Sequence, residues 1–175
     1  MDARFDANHI LDEKFVPHDV AGTVAIDEFI VGDGAFAVQA PASYQLVLTA
    51  LDEGIFAQGK VSLPVEATCV RCLEPFELII TASVENTFYY EPVFDEDGDS
   101  LPQVDEYGYI DLEGELVEDL IIETPYAPLH DPQCKGICPL CGTNRNTNPC
   151  TCADDLVDYN HPFSQLDALL DNREE

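Results

Sequence analysis

The chain has 175 residues, of which 35 are acidic and 7 basic, giving a formal net charge of −28, and 46% are hydrophobic. This is enough apolar material for one cored domain, or a domain with a small appendage. So negative a surface repels nucleic-acid phosphates, which argues against extensive direct RNA or DNA binding and for a basic protein partner. A general adaptation of the host proteome, such as salt tolerance, would give the same charge with no partner implied. No apolar run approaches 18 residues, so no membrane span is expected. The start, Met1 to His9, lacks the basic and apolar regions of a secretory signal, so a reducing, cytoplasmic location is expected.

Along the chain, residues 1–20 carry little periodicity and are expected to wrap or pair with the main body. Residues 21–31 read as a strand, with Gly32-Asp-Gly34 as a turn. Residues 44–51 alternate and are rich in β-formers. Asp52-Glu-Gly54 reads as a hairpin loop, and 55–68 as the return strand with a bend at Pro64. After Cys69-Val-Arg-Cys72-Leu-Glu-Pro75, the β-branched and aromatic run Phe76 to Tyr90 predicts a long strand, which places the Cys-x-x-Cys pair at a turn between antiparallel strands. Residues 91–106 form an acidic loop. Asp95, Asp97 and Asp99 have the spacing of a calcium loop, with Gly98 close by, but the likeness is superficial and a solvated acidic loop is expected. Tyr107 to Leu112 predicts a short strand. Leu116, Val117, Leu120, Ile121 and Ile122 predict a helix near 113–124, acidic in its first turn and ended by Pro125 and Pro128. Phe163, Leu166, Leu169 and Leu170 share one face of an expected short closing helix.

The expected class is therefore α+β: a mainly antiparallel β domain with one helix (1–128), a cysteine-rich, zinc-ribbon-like metal-binding loop (129–155), and a C-terminal helix and tail (156–175).

Five of the 7 cysteines fall between Cys134 and Cys152. Cys138, Cys141, Cys150 and Cys152 make a complete set of four thiolates for Zn²⁺, and Gly142 suits a knuckle whose N–H groups turn toward sulfur. The Asn, Thr, Gly and Pro residues between the pairs read as loop, which a metal would order. Cys69, Cys72 and Cys134 remain, and His130 lies four residues before Cys134, so these form a second candidate set that would staple the strand junction to the C-terminal segment. The competing reading makes Cys69 and Cys72 small buried apolar residues, or lets Cys134 replace Cys138 in a single site. The Cys-x₃-Cys-x₂-Cys spacing from Cys134 also matches an iron–sulfur pattern of radical enzymes, whose barrel this chain is too short to build. Arg71, Lys135 and Arg145 lie within the cysteine motifs, where they either offset the charge of a thiolate centre or contact an acidic group. There is no Gly-x-Ser-x-Gly, phosphate loop or His-Glu-x-x-His, and a site closed by four cysteines leaves no position for water.

Cys69-Val-Arg-Cys72-Leu-Glu-Pro-Phe after a strand, Ile110-Asp-Leu, Val117 to Pro125, Pro128-Leu-His-Asp-Pro-Gln-Cys134, the run to Asn146 with its later Cys-x-Cys, and His161-Pro-Phe-Ser-Gln-Leu-Asp-Ala-Leu follow one another in order. Together they resemble the YceD family of large ribosomal RNA subunit accumulation proteins, in its cysteine-rich form, over about residues 40–172. The resemblance implies a bacterial cytosolic protein needed for normal accumulation of large-subunit ribosomal RNA, without an established catalytic activity. The expected function is a non-enzymatic factor in ribosomal RNA synthesis, processing or ribosome assembly. It would carry structural Zn²⁺ and act through a basic protein such as a ribosomal protein or RNA-processing factor, with RNA contacted indirectly. The alternative is a zinc- or thiol-dependent redox or enzymatic protein.

Overall fold

The computed structural model describes residues 4–32 and 34–152. Its elements are β1 (Arg4–Asp6), α1 (Asn8–Leu11), β2 (Pro17–Val24), β3 (Phe29–Val31), β4 (Gly34–Val38), β5 (Ala42–Ala50), β6 (Gly54–Thr68), β7 (Pro75–Tyr89), β8 (Tyr109–Asp111) and α2 (Leu112–Glu123). The expected α+β class, mainly antiparallel sheet followed by a cysteine cluster, is what is found. The closing helix expected within 156–175 lies outside the described residues. No helix among the described residues is long and apolar enough to cross a membrane.

β6 organises the sheet. One of its edges pairs with all of β7, from Gly54↔Tyr89 to Thr68↔Pro75. Its other edge pairs first with β5 (Ile55↔Ala50 to Ser62↔Ser43) and then with β4 (Val65↔Val38, Glu66↔Ala37). β2 extends the sheet beyond β5, and β3 pairs with β4. Pro64 does not interrupt β6. Its missing N–H falls where β5 hands over to β4, and its carbonyl accepts the Gln39 N–H at 3.0 Å. Residues 21–31 form two strands and not one, because β2 pairs with β5 while β3 pairs with β4. Between them the chain turns at Ala25 to Glu28, with Ile26 buried. The N-terminus, unreadable by periodicity, pairs far along the chain, β1 with β8.

Period-2 alternation puts Ile55, Ala57, Val61, Leu63, Val65 and Ala67 of β6 on the same buried face as Ile80, Ala82, Val84 and Phe88 of β7. α2 closes over this face with Leu112, Leu116 and Leu120. Asp111 starts that helix, its carboxylate accepting the N–H groups of Glu113 (3.1 Å) and Gly114 (3.4 Å). Thr124 Oγ1 ends it on the Leu120 carbonyl at 2.7 Å, before Pro125. Of the apolar helix positions, Val117 is half-buried and Ile121 and Ile122 are exposed. In the acidic loop, Asp95 is occupied locally, its Oδ1 accepting the N–H groups of Asp97 (2.9 Å) and Asp99 (2.8 Å).

Candidate metal centres

The turn joining β6 to β7 is Cys69 to Glu74. The Cys69 N–H donates to the Glu74 carbonyl at 3.0 Å and the Leu73 N–H to the Cys69 carbonyl at 2.9 Å. The second Cys-x-x-Cys repeats this pattern at the same spacings: Cys138 N–H to Thr143 O at 2.8 Å, and Gly142 N–H to Cys138 O at 2.8 Å. Both turns are therefore the same knuckle. In each, the residue after the second cysteine has positive φ, 70° at Gly142 and 60° at Leu73. Glycine takes that conformation freely, whereas leucine pays about 1–2 kcal/mol. Leu73 is 60% exposed, so little packing offsets the strain. Leu73→Gly is accordingly predicted to stabilise the protein by about 1 kcal/mol, raising Tm by roughly 2–4 °C in a chain of this size. A lower Tm by calorimetry would show that Leu73 makes contacts worth more than its strain.

The first knuckle is held against the segment after α2. The Val70 N–H donates to the Pro128 carbonyl at 3.0 Å, and the Ile137 N–H donates to the Arg71 carbonyl at 2.9 Å. Arg71 Nη1 reaches the carbonyls of Cys134 (3.0 Å) and Pro132 (3.3 Å). Lys135 and Arg145 are placed by their backbone N–H groups, on Asn146 Oδ1 (2.8 Å) and the Gly136 carbonyl (2.9 Å). These contacts gather Cys69, Cys72, Cys134 and His130 at one point. Their ligand atoms lie within 4.8 Å of one another, as do those of Cys138, Cys141, Cys150 and Cys152. In the first set the three cysteines are buried, with Phe76 and Leu129 packed against them, and the Phe76 ring meets the His130 imidazole edge-on at 6.3 Å. In the second, Cys138 is buried, Cys150 and Cys152 are half-buried, and Cys141 is exposed.

The spacings fit a tetrahedral metal. Metal–sulfur bonds of about 2.3 Å and a metal–nitrogen bond of about 2.0 Å give S–S edges of about 3.8 Å and S–N edges of about 3.5 Å. Cys69 Sγ and Cys134 Sγ are 3.8 Å apart, and Cys72 Sγ and His130 Nδ1 are 3.4 Å apart. Thiol acidities point the same way. Burial opposes ionisation of Cys69, but hydrogen bonds from the Cys72 backbone, His130 and the Arg71 backbone hold its thiol down at about 5. Burial pushes Cys72 up to about 11, with Cys69 and Cys134 adding to the effect. Thr143, by side chain and backbone, holds Cys141 down at about 6. Cys152 is pushed up to about 11 by Cys141 and then by burial, and Cys150 is raised by Cys138 and then by burial. In each set one thiol is held down while a neighbour is pushed up, Cys69 against Cys72 and Cys141 against Cys152. Cys69, Cys72, Cys134 and His130 in one set, and Cys138, Cys141, Cys150 and Cys152 in the other, would hold a divalent cation, whose charge would favour the thiolate form of the cysteines.

Two participants are invisible to ligand counting. Thr143 Oγ1 lies 3.3 Å from Cys141 Sγ, and Asn146 Nδ2 donates to Cys134 Sγ at 3.3 Å. The asparagine-rich loop Asn144 to Asn148 reads from sequence only as connection. Its position between two ligand pairs was the one available signal that it faces sulfur.

An antiparallel sheet domain with two cysteine-rich tetrads, one built into a sheet turn, defines the class of this molecule. Residues 57–170 match the family described as large ribosomal RNA subunit accumulation protein YceD, and the chain belongs to that family. It is 30% identical over 109 residues to an uncharacterized protein of Mycobacterium tuberculosis (strain ATCC 25618 / H37Rv), covering 59% of this chain and 51% of that protein. It is 29% identical over 132 residues to an uncharacterized protein of Mycobacterium leprae (strain TN), covering 73% of this chain and 55% of that one. The large ribosomal RNA subunit accumulation protein YceD of Haemophilus influenzae is 34% identical over 86 residues, 45% of this chain and 47% of that protein. The chain thus spans about half the length of the curated relatives it matches. No solved structure matches it. Neither the family description nor the names of these relatives state a catalytic activity.

Proposed function

We propose that the chain supports accumulation of large-subunit ribosomal RNA as a non-enzymatic factor, acting through a basic protein partner, with structural Zn²⁺ in both tetrads. The family match over residues 57–170 carries this reading. Cys₃His and Cys₄ donor sets suit Zn²⁺ and complete a four-coordinate ion without water, which is the pattern of structural centres. When bound, the ion would supply cross-linking of the chain, and Cys69, Cys72, His130 and Cys134 would tie the sheet turn to the segment after α2.

Charge supports the nature of the partner. With 35 acidic and 7 basic residues, the chain carries the same sign as RNA. A cleft of about 650 Å³ beside α2, β7 and the acidic loop is lined by Glu85, Asp95, Asp99, Glu115 and Glu118 among others. Burial, reinforced by Glu118, Asp119 and Asp111, pushes Glu115 up to about 7. A cationic side chain arriving there would relieve that repulsion.

Two measurements test the reading. In cells lacking the chain, large-subunit ribosomal RNA should fall relative to small-subunit RNA and recover with the wild-type copy; an unchanged ratio rejects the function. The purified chain should retain its partner from extract after ribonuclease treatment; loss of that partner would move the contact to RNA. The thiol-based alternative has one observation in its favour, the exposed and acidic Cys141. It requires Cys141 to alkylate rapidly in metal-loaded protein, where a structural centre protects it.

A further inference from the structure

The two tetrads are not independent in space. Cys134 of the first and Cys138 of the second are joined by the strap Lys135-Gly-Ile137, and that strap is gripped from both sides. On one side the first knuckle holds it, through Ile137 N–H to the Arg71 carbonyl at 2.9 Å. On the other side is the loop of the second tetrad, between Cys141 and Cys150. Its Arg145 N–H donates to the Gly136 carbonyl at 2.9 Å.

Asn146, in that same loop, uses both ends of its side-chain amide. Oδ1 accepts the Lys135 N–H at 2.8 Å and Nδ2 donates to Cys134 Sγ at 3.3 Å. This fixes the orientation of the amide, because the flipped form would set oxygen against sulfur and N–H against N–H. Cys134 Sγ also accepts the Gly136 N–H at 3.4 Å. A thiolate ligand of the first centre thus takes a hydrogen bond from a loop belonging to the second. Every residue from 141 to 152 is exposed or half-buried, so Asn146 is held in place by the second tetrad, by the loop's own turns (Asn146 N–H to Asn144 Oδ1, 2.9 Å; Asn148 N–H to Asn144 O, 2.9 Å) and by the loop's pairing with the strap (Arg145 to Gly136, Asn144 beside Ile137) and not by core packing. In the other direction, the first knuckle sets the strap that delivers Cys138.

We propose that the two centres bind metal with positive cooperativity, and that Asn146 is the positioning residue that couples them, donating to the Cys134 thiolate of the first centre from a loop ordered by the second. Coupling between sites is reciprocal, so each metal tightens the other. Outer-shell donors to metal ligands typically change affinity by about 10–100-fold, which sets the expected size of the effect.

The test is a zinc titration of the full chain against a competing chromophoric chelator, with native mass spectrometry counting zero-, one- and two-metal species. In the wild type the one-metal species should fall below its statistical fraction. In Asn146→Ala it should become populated, with the weaker centre losing about 10–100-fold in affinity while the sheet melts as before. Asn146→Asp separates the donor from mere loop packing. It still accepts the Lys135 N–H but turns an oxygen toward the thiolate, so it should bind at least as weakly as Asn146→Ala. Cys150→Ser with Cys152→Ser, which opens the second centre, should weaken the first by a similar factor, and adding Asn146→Ala to that pair should cost nothing more. A statistical one-metal fraction in the wild type, Asn146→Asp binding like the wild type, or an unchanged first centre when the second is opened would each overturn the proposal. It rests on both tetrads being metal centres. A chain that takes up no zinc fails that reading, whereas two zinc ions bound independently fail only this one.

Discussion

Cys69→Ser should reduce bound zinc from two ions per chain to one and free the β6–β7 turn from the segment that follows α2. Structural zinc contributes on the order of 10–16 kcal/mol of apparent binding free energy in small domains, and much of that is lost when one of four ligands is removed. Little else would hold the junction. Its buried cluster is Cys69, Cys72 and Cys134 with Phe76 and Leu129 against them, and its hydrogen bonds are few. Amide exchange should therefore quicken at Val70, which donates to Pro128, and at Ile137, which donates to Arg71, while the β5–β6–β7 ladder stays protected. Chelation of the wild type should give the same local pattern. Two zinc ions retained by Cys69→Ser, or loss of protection across the whole sheet, would show that the first tetrad is not a local metal staple.

Much of this architecture is legible in the residues themselves. Alternation over 44–68 and the β-rich run to Tyr90 announce a hairpin of long strands, and the observed β5, β6 and β7 follow it closely. α2 is equally plain, yet its apolar positions do not say which are covered. The sheet buries Leu112, Leu116 and Leu120, a stripe narrower than the sequence offers, and Ile121 and Ile122 remain exposed. What stays hidden is long-range pairing. Nothing near Arg4–Asp6 indicates Tyr109–Asp111 as its partner, and nothing between 21 and 31 shows that its two halves pair with different strands.

The site divides in the same way. Spacing identifies cysteines as candidate ligands, because a Cys-x-x-Cys pair is a local object. Assignment of Cys134 depends on the closure of residues 69–72 against 130–134, which only the tertiary fold supplies. Leu73 and Asn146 lie further out of reach. One matters through a backbone dihedral and the other through an amide orientation, and neither leaves a mark in composition.

Gly59→Ala carries the second large effect, and its main cause is backbone approach, added to a φ of 157° that L side chains rarely adopt. Gly59 faces Leu46 across the β5–β6 ladder. A Cβ there would collide with the Gln45 carbonyl oxygen, and would lie 2.8 Å from Leu46 Cα and 3.0 Å from the Gln45 carbonyl carbon. All three are backbone atoms, so no side-chain rotation relieves the contact, and the strands must separate or bulge at the centre of the sheet. That movement disturbs the buried neighbours Leu46, Leu48, Ala57 and Val61 and breaks ladder hydrogen bonds. Overpacking of about 1–3 kcal/mol together with the loss of one or two hydrogen bonds of about 1 kcal/mol each gives an expected cost of about 2–5 kcal/mol, a large part of the roughly 5–15 kcal/mol that stabilises a domain. Urea denaturation at saturating zinc measures it, and a change under 1 kcal/mol would mean that β5 and β6 accommodate the methyl without separating. The two substitutions should fail in opposite ways. Gly59→Ala weakens the sheet while each folded chain keeps both metals, and Cys69→Ser loses a metal while the sheet persists, because strand packing and thiolate ligation stabilise different parts of the chain.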